Sequence, residues 1–378
     1  LFTVIHEHQT QLQDDARALD RRVHHHRLIS PEVLGAVVRW LFRSPQRWAR
    51  ACGRAIGGTF RSPQALIRAL ATVPTAMAFA EEMERLGVDR VHAHWATHPT
   101  LAAMVIQELT DLPFAFTGHA HDLDIEQTML DQTVAAADLV ITCTAKGRDL
   151  LRDLSPPADH AKIRLLHHGV DLTAFSPTPL RDRIDPLRVL CVGSLEPRKG
   201  HRVLLAALAR LRATGRRVDA ILVGGGEDRA ELEGVARSLG LTDAVMFTGP
   251  QQRAQVIDWL AWCDVYVLPS IVLPNGMTEG IPNVLVEAMA AGRPVVASAL
   301  TGVKELIDHE VHGRLFTPGD DAELTEQLEL VVADPEATRS MVEAGRTRVE
   351  QEHDRDRCTR ELYELLTGPW PPTDGTEP

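Results

Sequence analysis

From Val189 to Val332 six short apolar runs alternate with loops and with five stretches of helical periodicity. The runs fit strands at Val189–Val192, Ala220–Val223, Val245–Phe247, Val265–Leu268, Pro294–Ala297 and Arg314–Phe316. Helices are expected at His201–Ala213, Arg229–Leu239, Arg253–Trp262, Asn283–Ala291 and Ala322–Val332. Short apolar strands separated by helices call for a parallel sheet covered on both faces, so this half predicts a doubly wound α/β domain. Ligands of such sheets bind beyond the carboxyl ends of the strands, at the loops after Val192, Val223, Phe247 and Leu268.

The first half carries the same alternation less regularly. Strands are expected at Phe2–His6, Arg90–Ala93, Phe114–Thr117, Leu139–Thr142 and Ile163–His167, with helices at His98–Leu109 and Thr144–Leu154. Pro177, Pro179 and Pro186 punctuate the join between the halves. The division is therefore an N-terminal domain at 1–171, a linker at 172–187, a second domain at 188–350, a C-terminal helix at 351–368 and a tail at 369–378.

At 378 residues, 44% hydrophobic and 24% charged, the chain has ordinary globular composition and length for two domains. A formal net charge of −12 argues against nucleic acid as a partner. No run of eighteen apolar residues suggests a membrane-spanning helix, and no secretory signal is visible at the start. Five scattered cysteines without C-x-x-C spacing fit a reducing cytoplasm; Cys143 and Cys191 read as core residues of strands. Between Pro31 and Thr72, seven arginines stand against one acid, Glu32, interleaved with Trp40, Phe42 and Trp48. Residues 34–54 thus suit either a membrane surface, at its inner face, or a solvated helix whose arginine stems cover the core.

Two loops carry the chemistry. Gly193-Ser-Leu-Glu-Pro-Arg-Lys-Gly200 offers glycines for close backbone approach and, in Arg198 and Lys199, charge for phosphate oxygens. The loop after Leu268 leads through Glu279-Gly280-Ile281-Pro282 into a helix opening at Asn283, whose free N–H groups suit a diphosphate. Glu279 stands before that helix, and Glu287, about one turn in, can accept hydrogen bonds from ribose hydroxyls.

The run Glu279-Gly-Ile-Pro-Asn-Val-Leu-Val-Glu287 resembles the Glu-x7-Glu motif of family-four retaining glycosyltransferases with the GT-B fold. The Gly193–Gly200 loop resembles the same family's donor-phosphate loop. The turn at Gly224, Phe247-Thr-Gly249 and Gly302-Val-Lys-Glu-Leu306 match as well. In the first half, His92-Ala-His-Trp-Ala-Thr-His98 and Phe116-Thr-Gly-His-Ala-His-Asp122 resemble a branch that builds exopolysaccharides.

The resemblance implies two Rossmann-like domains facing a cleft. It assigns Lys199 to the donor diphosphate, Glu279 to the transferred sugar and Glu287 to the ribose, with Gly193, Ser194, Arg198, Gly224, Gly249, Gly280, Ile281, Pro282 and Asn283 completing the donor site. His119 would sit near the reacting centre, and His121 and Asp122 are candidates for acceptor contact. Many relatives carry Arg where Ser194 stands; Arg198 offers that charge four residues later. Relatives also begin with a strand, a loop and a helix before the equivalent of Phe2–His6, so this N-terminal domain is expected to lack its first strand.

The expected reaction moves a sugar from a nucleoside diphosphate to a glycan or lipid-linked acceptor in polysaccharide biosynthesis, with no metal and no cofactor besides the donor itself. An inactive nucleotide-sugar-binding protein, a sugar phosphorylase and a nucleotide-sugar epimerase are the rival readings.

Overall fold

The computed structural model describes residues 2–3, 22–124, 127–182 and 184–370. Most of the expected strand Phe2–His6 and the tail from 371 onward lie outside the described residues. The chain divides into two units, one formed by residues 1–166 and 363–378, the other by residues 167–362.

In unit 1, β1 (Phe2–Thr3) pairs in parallel with β2 (His24–His25). A second, four-stranded parallel sheet runs β3 (Val91–His94), β4 (Phe114–Gly118), β5 (Leu139–Thr142) and β6 (Ile163–Leu165), in that order. Three helices precede it: α1 (Pro31–Arg43), α2 (Pro45–Thr59) and α3 (Pro63–Leu86). Each starts at a Ser-Pro pair, and the hydroxyls of Ser30 and Ser62 accept from the third residue on, satisfying a free helix-start N–H. The expected basic helix is thus three helices broken at Ser44-Pro45 and Ser62-Pro63. Trp40 is buried, its indole N–H donating to the Met77 carbonyl.

The arginines of this stretch are not an open basic face. Arg39 pairs with Glu81, Arg43 with Glu84, Arg47 with Asp111, and Arg50 with Glu108. Beside these paired arginines α1 also leaves apolar side chains in solvent: Leu34, Val38 and Phe42 are 56%, 51% and 81% exposed. Their spacing of four places them on one helix face. No helix among the described residues is long and apolar enough to cross a membrane.

Between and after the strands lie α4 (His98–Thr110), α5 (Ala120–Asp124), α6 (Leu130–Ala136) and α7 (Ala145–Asp153). The sheet core is formed by Phe114, Phe116, Val140 and Ile163 against Leu101, Val105 and Leu151. Full burial of side chains this size contributes about 1.5–3 kcal/mol each.

Unit 2 has a six-stranded parallel sheet built from β7 (Leu187–Val192), β8 (Val218–Val223), β9 (Val245–Gly249), β10 (Val265–Leu268), β11 (Val295–Ser298) and β12 (Arg314–Phe316). Their order is β12-β11-β10-β7-β8-β9, so the chain starts in the middle and winds outward both ways. Between β7 and β10 lies the switch point where doubly wound sheets bind ligands. The connecting helices are α8 (His201–Ala213), α9 (Arg229–Ser238), α10 (Arg253–Trp262), α11 (Asn283–Ala290) and α12 (Thr301–Leu306). They are followed by α13 (Asp321–Ala333), α14 (Pro335–Glu352) and α15 (Arg355–Thr367).

The segment expected as a linker is tied down over part of its length. Arg293, buried in unit 2, donates to Thr178 Oγ1 at 2.7 Å, and Arg181 pairs with the buried Asp264 at 2.9 Å.

Candidate active site

Three loops meet beyond the carboxyl ends of β7, β8 and β10. Backbone bonds stitch them together: Gly193 N–H to the Val223 carbonyl, Leu195 N–H to that of Gly225, and Ile271 N–H to that of Arg198. At Gly200, with φ +65°, a Cβ would lie 1.9 Å from the Pro269 carbonyl oxygen. At Gly224, with φ +148°, it would lie 1.8 Å from the Gly193 carbonyl oxygen. Both glycines therefore let loop pack on loop.

On this platform the charged side chains converge. Arg198 Nη1 lies 2.7 Å and Lys199 Nζ 2.6 Å from one oxygen, Oε1, of Glu279. Ser270 Oγ donates to the same oxygen at 3.2 Å. The Glu279 residue is only 9% exposed. Arg198 thus does reach the point that Lys199 reaches, although it stands four positions from Ser194. Ser194 does not turn to this point: its hydroxyl donates to Glu196 at 2.8 Å, and Glu196 pairs with Arg198 at 2.7 Å.

Gly280, Ile281 and Pro282 carry the chain from Glu279 into α11, and a side chain at Gly302 would strike the Gly280 backbone at 2.3 Å. Pro282 is the N-cap residue and supplies no side-chain cap; its carbonyl accepts the Leu285 N–H at 2.9 Å, which leaves the N–H groups of Asn283 and Val284 to face a ligand. Gly249 closes β9, and the Gly224 N–H donates to its carbonyl at 3.1 Å.

Glu287 lines a cavity of about 180 Å³ together with Asn283, Val286, Arg253, His168 and Asp171. Burial pushes its carboxyl up to about 7, and Arg253 opposes the shift. Burial lowers the His168 imidazole, while a hydrogen bond to the Asn283 side chain works the other way. Tyr266, fully buried, donates to the Val192 carbonyl, and burial raises its phenol well above the usual range.

His168, Asp171 and Arg253 did not figure among the expected site residues. The expected strand Ile163–His167 ends at Leu165, and beyond it Gly169 is packed where a Cβ would meet the Arg355 backbone at 2.3 Å. The Val170 N–H donates to the His353 carbonyl, and Arg355 pairs with Asp171 at 2.7 Å.

In unit 1 the expected residues also gather at strand ends. His119, after β4, has its Nε2 2.9 Å from His94 Nε2 and its Nδ1 3.6 Å from Cys143 Sγ. Cys143 therefore stands at this cluster and is half-buried, where a strand-core cysteine was expected. Trp95, at the strained φ of +83°, packs against His119 at 4.7 Å between ring centroids. Burial drops the neighbouring His92 to about 4, with His94 adding to the shift.

Asp122 does not face an acceptor. It is fully buried, and its two oxygens accept the N–H groups of His119 and Ala96. Asp124, next but one, pairs with Lys146 at 2.6 Å, so the Asp122-Leu-Asp124 run is structural. His121 lies on α5, and its side chain is outside the described residues.

Comparison with known proteins agrees with this layout. The family profile described as "Glycosyl transferases group 1" matches residues 179–348, and "Glycosyltransferase Family 4" matches residues 9–174. The chain is similar to the amylovoran biosynthesis glycosyltransferase AmsK of Erwinia amylovora, with 32% identity over 65% of this chain and 60% of that protein. It spans, then, about three fifths of the length of this relative. It is 30% identical to the glycogen synthase of Mycobacterium tuberculosis, over 72% of this chain and 68% of that one. Among solved structures, Anabaena HepE in complex with UDP superposes with a TM-score of 0.66 at 23% identity, covering 78% of this chain and 82% of that one. That likeness shows the two-domain α/β fold with parallel sheets known as GT-B.

Proposed function

The chain belongs to the glycosyl transferase group 1 family, and from that premise we propose that it transfers a sugar from a nucleoside diphosphate to an acceptor hydroxyl in polysaccharide biosynthesis. The observation that carries this reading is the convergence of Arg198 and Lys199 on Glu279 beside the start of α11. Two cations and free helix N–H groups suit a diphosphate, and a carboxylate at their edge suits sugar hydroxyls. The cavity at Glu287 takes the ribose, with the carboxylate accepting from its hydroxyls. UDP in HepE makes a uridine nucleotide the first donor to try.

In the proposed reaction the bond from the anomeric carbon to the diphosphate oxygen breaks, and the acceptor oxygen bonds to that carbon. The acceptor proton passes to the departing phosphate, and configuration is retained. Charge grows on that phosphate in an oxocarbenium-like transition state, where Lys199, Arg198 and the α11 N–H groups stabilise it. His119, at the end of β4, is the substrate-facing group proposed for unit 1. A glycan or lipid-linked acceptor, met at the inner face of a membrane, completes the reading. For membrane contact the candidate surface is now the apolar face of α1, since its arginines are paired.

Thermal stabilisation by UDP, GDP, ADP and their hexose derivatives, repeated with Glu287→Ala, tests the donor site. A shift with one nucleotide that disappears in the variant supports it; no shift with any nucleotide overturns it. Release of nucleoside diphosphate from the sugar nucleotide then separates an enzyme from an inert binding protein.

A further inference from the structure

Arg198 and Lys199 already have an anion. Both are bonded to Oε1 of Glu279, and Arg198 also holds Glu196. The Arg198 carbonyl is fixed by the Ile271 N–H at 2.8 Å, so a rearrangement here falls to the side chains and not to the loop. An oxygen carrying two cations and the Ser270 hydroxyl has little capacity left to accept from a sugar.

Resting on the donor-site reading above, we infer that Glu279 is a built-in competitor of the diphosphate, and that this competition selects sugar-bearing nucleoside diphosphates over bare ones. A diphosphate engaging Arg198 and Lys199 displaces them from Glu279 and leaves a nearly buried carboxylate without its counter-charges, which is costly. Sugar hydroxyls donating to Glu279 offset that cost. A bare nucleoside diphosphate brings no such donors, so Glu279 retakes the cations and the product leaves. Glu279 thereby determines donor specificity, and Arg198, shared between two carboxylates, is the cation most readily exchanged.

The test is titration calorimetry on the full chain, using whichever of UDP, GDP and ADP binds it, alongside the matching hexose derivative. Glu279→Gln removes the competing charge at constant shape. It is expected to bind the bare diphosphate about five- to tenfold more tightly than wild type, while the sugar nucleotide gains nothing or weakens. Glu196→Gln, which frees Arg198 at a distance from the sugar, is expected to tighten both ligands alike. Should Glu279→Gln fold poorly, Glu279→Asp draws the carboxylate back and is expected to shift affinity the same way to a smaller extent. Unchanged or weaker binding of the bare diphosphate by folded Glu279 variants, with wild type binding normally, overturns the inference alone. Wild type that binds no nucleotide overturns the donor-site reading as well.

Discussion

A carboxylate oxygen of the fully buried Asp122 accepts the backbone N–H of His119 at 2.8 Å, and its second oxygen accepts that of Ala96. One side chain therefore locks the loop after β4 to the loop after β3, with His119 and His94 brought together at 2.9 Å on top. Asp122→Ala strands two buried N–H groups and is expected to destabilise the protein by about 2–4 kcal/mol, read by urea unfolding. Asp122→Asn keeps an acceptor for one of them and is expected to cost less. Equal stability of Asp122→Ala and wild type counts against the clamp.

The carboxyl of Glu287, pushed up to about 7 by burial, makes both stability and ligand binding depend on pH. Because its folded value lies above the usual 4.5, the folded state holds the extra proton. Its contribution to stability is complete below the unfolded value and is lost as pH rises through about 7. Ligand hydroxyls favour the ionised acceptor, so nucleotide affinity is expected to strengthen from about pH 6 to about pH 8, by at most tenfold per unit. Glu287→Gln should flatten that profile in calorimetric titrations and weaken binding at the upper end.

Gly224 combines φ +148° with a neighbouring carbonyl 1.8 Å from where a Cβ would stand. Gly224→Ala must move either β8's end or the Gly193 loop, and is expected to lower stability by about 2–4 kcal/mol. Because Gly193 opens the loop that ends in Lys199, nucleotide affinity is expected to fall together with the melting temperature.

Vesicle flotation checks the α1 face. With its arginines paired, α1 offers Leu34, Val38 and Phe42, so binding to vesicles is expected to change little with salt. Phe42→Ser is expected to reduce binding severalfold. Binding that collapses at high salt and survives Phe42→Ser points to charge as the basis of contact.

Much of unit 2 was legible in the sequence because parallel strands buried on both faces leave continuous apolar runs. All six expected strands are present, with ends shifted by at most two residues. The α12 and α14 helices escaped, one being a single short stretch and the other largely polar at its surface. In unit 1 the helices α1–α3 read as one basic stretch, since the charges that neutralise its arginines lie on α3, α4 and the turn after α4. Their Ser-Pro starts were the local signal that marks the breaks.

The sequence by itself determined the alternating α/β pattern, the spacing of Glu279 and Glu287, and the family to which the motifs point. These are local or periodic properties, set by side-chain chemistry along the chain. Only the tertiary structure decided that Arg198 shares an oxygen with Lys199, that Ser194 turns to Glu196, and that Asp122 is a clamp. It also brought His168 and Arg253 to the Glu287 cavity. The contacts of Arg198 and Lys199 with Glu279, of Asp122 with Ala96 and of Arg253 with the Glu287 cavity join different loops at strand ends, where distance in space is unrelated to separation along the chain.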